Sequence, residues 1–93
     1  MATLHIEHAI TDLATWHDAF DRFAEARAGA GVTASRICQP VDDPAYIVLQ
    51  LDFDSTEAAT RFLGFLEANV WSTPANSPGL AGSPTARVLE SVD

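Results

Sequence analysis

The sequence predicts an α+β domain, and three observations carry that prediction. Short segments of period-two hydrophobicity alternate with two longer segments of helical period. The best strand candidate, residues 46 to 53, is bounded by a proline-containing turn and by a helix-start signal. Third, hydrophobic residues make up 47% of the 93 residues and charged ones 19%, a globular balance on a chain sized for a single domain, residues 1–93.

The first strand covers residues 3 to 10. Leu4, Ile6, His8 and Ile10 fall on one face, and His5, Glu7 and Ala9 on the other. Thr11 and Asp12 then offer side-chain oxygens to the free N–H groups of a first helical turn. Leu13, Trp16, Phe20, Phe23 and Arg27 follow at helical spacing, while Asp18, Asp21 and Glu25 lie on other faces. One amphipathic helix is expected, closed at Gly29 and Gly31, since glycine takes a left-handed cap without steric cost.

A second strand is expected at about 32 to 39, with Arg36 and Cys38 on one face and Ser35 and Ile37 on the other. The segment Pro40-Val41-Asp42-Asp43-Pro44 reads as a tight connection into the third strand, so the two should form a hairpin. In that third strand Ile47, Leu49, Leu51 and Phe53 share an apolar face, opposed by Tyr46, Val48, Gln50 and Asp52. Asp54 with Glu57 suggests a capping box opening a second helix, whose buried stripe is Ala59, Phe62, Leu63, Leu66 and Val70. Residues 71 to 84, broken by three prolines and two glycines, read as a long irregular loop, and 85 to 92 as the closing strand.

The order strand, helix, strand, strand, helix, strand implies a four-stranded antiparallel sheet with both helices on one face, the ferredoxin-like arrangement. The other sheet face is then left bare and half apolar, which favours a homodimer built through that face.

The formal charge of −8 arises from 13 acidic residues against 5 arginines and no lysine. Such a surface repels phosphate backbones and anionic headgroups, so neither nucleic acid nor membrane is an expected partner. No apolar run approaches the roughly 18 residues of a membrane span. The single cysteine, Cys38, excludes an intrachain disulfide and suits a reducing cytoplasm, and it reads as a half-buried strand residue. In so acidic a chain each arginine is expected to pair with a carboxylate, Arg36 and Arg87 being the two placed to reach a pocket anion.

Several of these segments resemble a known family. His8, the W-H-D-A-F spacing of Trp16 to Phe20, the stretch from Arg27 to Gly31 and Val32, and above all VDDPAYIVLQLDFDSTEAATRFL at 41 to 63 resemble the dimeric α+β barrel superfamily. Within it they are similar to small bacterial proteins near the antibiotic-biosynthesis monooxygenases. The resemblance implies a dimer with a pocket between helices and sheet. It also implies a range of activities, including oxygenation of polyketide phenols without a cofactor, lactone isomerisation and polyketide cyclisation. Fold does not carry a reaction with it.

The run LHIEHAI, residues 4 to 10, holds the candidate chemistry. Strand alternation puts His5 and Glu7 on one face and His8 on the other, so all three cannot ligate one ion and no metal site is expected. An acid/base reading needs only one histidine, tuned by a nearby carboxylate or Arg36. On that reading His8 or His5 is catalytic, and Glu7, Arg36, Tyr46, Gln50 and Trp71 bind a small aromatic or polyketide-like ligand, with no cofactor. The structural alternative makes His8 a packed histidine, His5 and Glu7 a cross-strand polar pair, and Tyr46 and Trp71 dimer-core aromatics. His17, beside the helical stripe, is expected at the surface.

Overall fold

The structure, a computed structural model, describes residues 1 to 92. Its elements are β1 (Ala2–Ile10), α1 (Leu13–Arg22), α2 (Ala24–Ala30), β2 (Ala34–Cys38), β3 (Tyr46–Phe53), α3 (Thr56–Phe65) and β4 (Leu80–Glu90). The four strands form one antiparallel sheet in the order β2-β3-β1-β4, which is the ferredoxin-like α+β fold. Strands β1 and β3, at the centre, carry the alternating pattern most strongly, and β3 has the bounds its sequence predicts.

Register follows from that pattern. Leu4 faces Leu51, Ile6 faces Leu49, and His8 faces Ile47, so one side of the sheet is apolar apart from His8. Phe53, Leu4, Ile6, Ile47 and Leu51 are sealed from solvent on that side. Each contributes about 1.5–3 kcal/mol through burial alone. Ala59, Phe62, Leu66, Val70 and Trp16 close over them from the helices.

Five local features depart from the sequence expectation. The first predicted helix is two: it breaks at Phe23, whose φ of −102° and ψ of 16° leave the helical region, and α2 ends at Gly31 with a φ of 93°. Asp12 alone is the N-cap of α1, accepting from the Thr15 backbone N–H at 2.8 Å. At α3 the N-cap is Ser55, which accepts from the Ala58 N–H at 3.2 Å, so Asp54 with Glu57 is not the capping pair. A hydroxyl one residue later serves as the cap and satisfies the orphan Ala58 N–H instead.

After α3 the chain makes one π turn, Leu66–Val70, closed by a bond from the Trp71 N–H to the Leu66 carbonyl at 2.8 Å. Such five-residue closures are a recurrent feature of functional sites. Finally, β4 starts at Leu80 rather than 85, so the irregular connection is shorter than the sequence suggests. The extra strand was masked by Gly82 and Pro84. They sit where the β1–β4 pairing slips between Glu7 and Ala9, and a bulge on an edge strand tolerates both a positive φ and a missing N–H.

Candidate functional site

The sheet divides the predicted site residues into two groups. His8 and Trp71 lie on the helix-covered side, whereas His5, Glu7, Arg36, Tyr46 and Gln50 lie on the open side. No single cavity can gather them.

On the covered side a cleft enclosing about 70 Å³, open to solvent on one side, runs between the sheet and α1, α2, α3 and the π turn. Its walls are almost wholly apolar, from Ile6, Leu49 and Leu51 below to Phe62, Leu66 and Val70 above. His8 is buried, 5% exposed, because its strand position belongs to the Leu4, Ile6, Ile10 face. Its Nδ1 lies 2.8 Å from the carbonyl oxygen of Ala9. A carbonyl can only accept, so Nδ1 carries the proton and Nε2 is left as the basic nitrogen of a neutral ring. Burial lowers the His8 pKa below its ordinary value, against a smaller opposing effect of the Ala9 bond. Nε2 has no partner among the described side chains and backbone, and no fully buried polar side-chain atom there lacks one. It therefore opens on the cleft.

From His8 the wall continues as a series of flat groups. The imidazole and the Trp16 indole lie 6.4 Å apart, Trp16 stacks on Phe20 at 5.1 Å, and the Arg27 guanidinium carbon stands 3.5 Å from the Phe20 ring centre. The helix break at Phe23 explains the last contact. It weakens the regular bonding of the Phe20 carbonyl, which the Arg27 Nη1 takes up as donor. The connection after Trp71 is fastened to α1 where Gly79 packs on the Trp16 backbone and its carbonyl accepts from the Thr11 N–H at 3.0 Å.

Sequence reasoning named His8 and Trp71 here but not Trp16, Phe20 or Arg27 as site residues. Their spacing marked a buried stripe. The missed signal was the cation that ends it.

The open side carries a continuous hydrogen-bonded chain across β1, β2 and β3. Arg36 binds Asp52 through two bonds of 2.9 Å and donates from Nε to Gln50 Oε1 at 3.2 Å. Gln50 Nε2 then donates to His5 Nδ1 at 3.0 Å, and His5 Nε2 donates to Glu7 Oε2 at 2.8 Å. Tyr46 donates to Glu7 Oε1 at 2.7 Å, and Thr3 to Asp52 Oδ1 at 2.8 Å. Arginine can only donate, so it fixes the direction of every bond as far as Glu7. The bonds from His5 and Tyr46 hold the Glu7 carboxyl below its ordinary pKa, and Arg36 with Thr3 brings Asp52 down to about 2.

On the same face Tyr46, Val48 and the exposed Leu89 lie beside this polar chain. Cys38, on the edge strand β2, is exposed rather than half-buried. His17 is exposed and lies 3.3 Å from Asp21. Among the described residues no three His, Cys, Asp or Glu side chains converge as a metal site would require, and no helix is long and apolar enough to cross a membrane. Arg36 is the only arginine there with a carboxylate within ion-pair distance, so the expected pairing of the other four is not found.

A four-stranded sheet with an aromatic cleft beneath its helices and a bare opposite face defines the class by fold: a ferredoxin-like α+β protein. No family model matches the sequence, and no curated protein matches it significantly. Solved structures do resemble it in fold. SnoaB, a cofactor-independent oxygenase from Streptomyces nogalater, superposes with a TM-score of 0.73 at 16% identity, covering 99% of this chain and 93% of its own. The monooxygenase of the ActVA-Orf6 gene of Streptomyces coelicolor, solved with nanaomycin D, gives 0.62 at 16% identity over 99% and 88%. A dimeric ferredoxin-like protein from an uncultured marine organism gives 0.64 at 10% identity over 100% and 96%.

Proposed function

We propose that the cleft binds a flat, mostly apolar phenolic molecule and that His8 acts in it as general base, in the manner of a cofactor-free oxygenase. The observation that carries this reading is the accessible, neutral Nε2 of His8 at the end of a wall of aromatic rings. A base held neutral near pH 7 can take the hydroxyl proton of a bound phenol, and a desolvated phenolate is an electron-rich partner for dioxygen. In the balanced reaction one oxygen atom enters the ring to form a quinone and the other leaves as water. Two oxygenases of the same fold support the reading.

The cleft volume limits the ligand. About 70 Å³ is well below the ~300–1,000 Å³ of sites that engulf drug-sized molecules, so one ring enters and the remainder lies in the mouth. The same small volume favours a second reading, a non-catalytic module whose cleft is filled by its own side chains.

The open face is the proposed contact with a second copy. It is a four-stranded surface that the helices leave bare, and a protein of the same fold is a dimer. In this assembly Tyr46, Val48 and the bonded polar chain lie at the seam. Light scattering of the wild type and of Val48→Glu tests it: a monomeric wild type would overturn the dimer.

Thermal shift with phenol, 1-naphthol and a hydroxyanthraquinone, followed by oxygen uptake, tests the cleft. Stabilisation by the smaller phenols is expected, with uptake at least tenfold lower in His8→Gln. No stabilisation by any of them favours the module.

A further inference from the structure

We infer that Arg27 makes the cleft selective for aromatic anions, with a carboxylate or ionised hydroxyl at the end of the molecule remote from His8. The inference rests on the reading of the cleft as a ligand pocket and adds a charge requirement to it. Arg27 lines the cleft, and its guanidinium carbon stands 3.5 Å from the Phe20 ring centre. Among the described residues no carboxylate comes within 4.0 Å of it, although the chain carries 13 acidic side chains. Among the described residues its one hydrogen-bond acceptor is the neutral carbonyl of Phe20.

A half-buried cation with no carboxylate in ion-pair contact is costly, and a ligand anion would repay that cost. The planar group is also positioned to do so. The contact with the Phe20 ring and the bond from Nη1 to the Phe20 carbonyl hold it in place, and the remaining N–H donors suit a carboxylate. The imidazole, indole, phenyl and guanidinium follow one another in steps of 6.4, 5.1 and 3.5 Å, so the wall offers an acceptor at one end and a donor at the other. Burial lowers the Arg27 pKa from its ordinary value, and the Asp21 charge, too far away for an ion pair, offsets this only in part.

Calorimetric titration with 1-naphthoate and the isosteric neutral 1-naphthamide tests the inference. In the wild type the carboxylate should bind at least tenfold more tightly. In Arg27→Gln the two should bind equally, and Arg27→Lys should keep part of the preference. Because the wild-type comparison stands without any variant, a failure of Arg27→Gln to fold leaves the test intact. Equal binding of both probes by the wild type overturns the anion requirement while the aromatic pocket survives. Binding of neither overturns both.

Discussion

Tyr46 and Glu7, 39 residues apart in sequence, are joined by a 2.7 Å hydrogen bond in which the phenol donates to Oε1. The bond favours the neutral phenol beside the ionised carboxylate and raises the Tyr46 pKa above its ordinary 10.0, with desolvation adding to it. Tyr46 is the only tyrosine, so an ultraviolet titration reads it directly. Its midpoint should lie above 10.0 in the wild type and move down towards that value in Glu7→Gln. An unchanged midpoint would mean that the bond is not formed in solution.

The Arg36–Asp52 pair makes acid stability measurable. The folded-state pKa of Asp52, about 2, lies below its ordinary 3.8. The folded state therefore binds its proton less readily than the unfolded chain. The pair's contribution is fully present above pH 3.8 and is lost as pH falls towards 2. Asp52→Asn should lower the melting temperature at pH 7 by about 5 °C, a modest effect because Arg36 is half exposed. The gap between variant and wild type should close between pH 4 and pH 2; a gap independent of pH would assign the loss to packing.

Much of this architecture was legible in the sequence because it rests on local rules. Period-two alternation marks β1 and β3 and by itself separates His8 from His5 and Glu7. What the sequence could not supply was pairing. Nothing local says that His5 stands beside Gln50, or that Gln50 stands beside Arg36, since cross-strand register is settled by the whole core. The same holds for the cleft. Trp16, Phe20 and Arg27 read as a stripe, and only the break at Phe23 turns the arginine back over the Phe20 ring.

His8 should couple stability to pH in a second window. Burial lowers its pKa below 6.5 in the folded state, so the unfolded chain takes the proton first. The contribution of the neutral ring is present above 6.5 and is lost as pH falls through the lower folded value. Chemical denaturation at pH 7.5, 6 and 5 should show the wild type losing stability across this range. In His8→Gln, which does not titrate, the slope should be shallower. Equal slopes would make His8 a solvated histidine and remove the ground for treating it as a preset base.

The last prediction concerns how the connection after the π turn is held against α1. A methyl group added at Gly79 would lie 2.6 Å from the Trp16 Cα, 2.7 Å from its nitrogen and 2.8 Å from its Cβ. These are atoms of a helix backbone that cannot yield like the end of a side chain, so Gly79→Ala must push the connection off α1. Overpacking of this kind costs ~1–3 kcal/mol, and each kcal/mol lowers the melting temperature of a domain this size by about 4–8 °C. Trp16 and Trp71 both line the cleft, so its widening should also shift tryptophan emission to the red. Gly64→Ala is the control: a methyl there meets nothing within 4 Å, and in α3 it should stabilise by about 0.5–1 kcal/mol. If Gly79→Ala melts with the wild type while Gly64→Ala behaves as expected, the close approach of residue 79 to Trp16 is wrong. The cleft would then lack the wall that this contact holds in place.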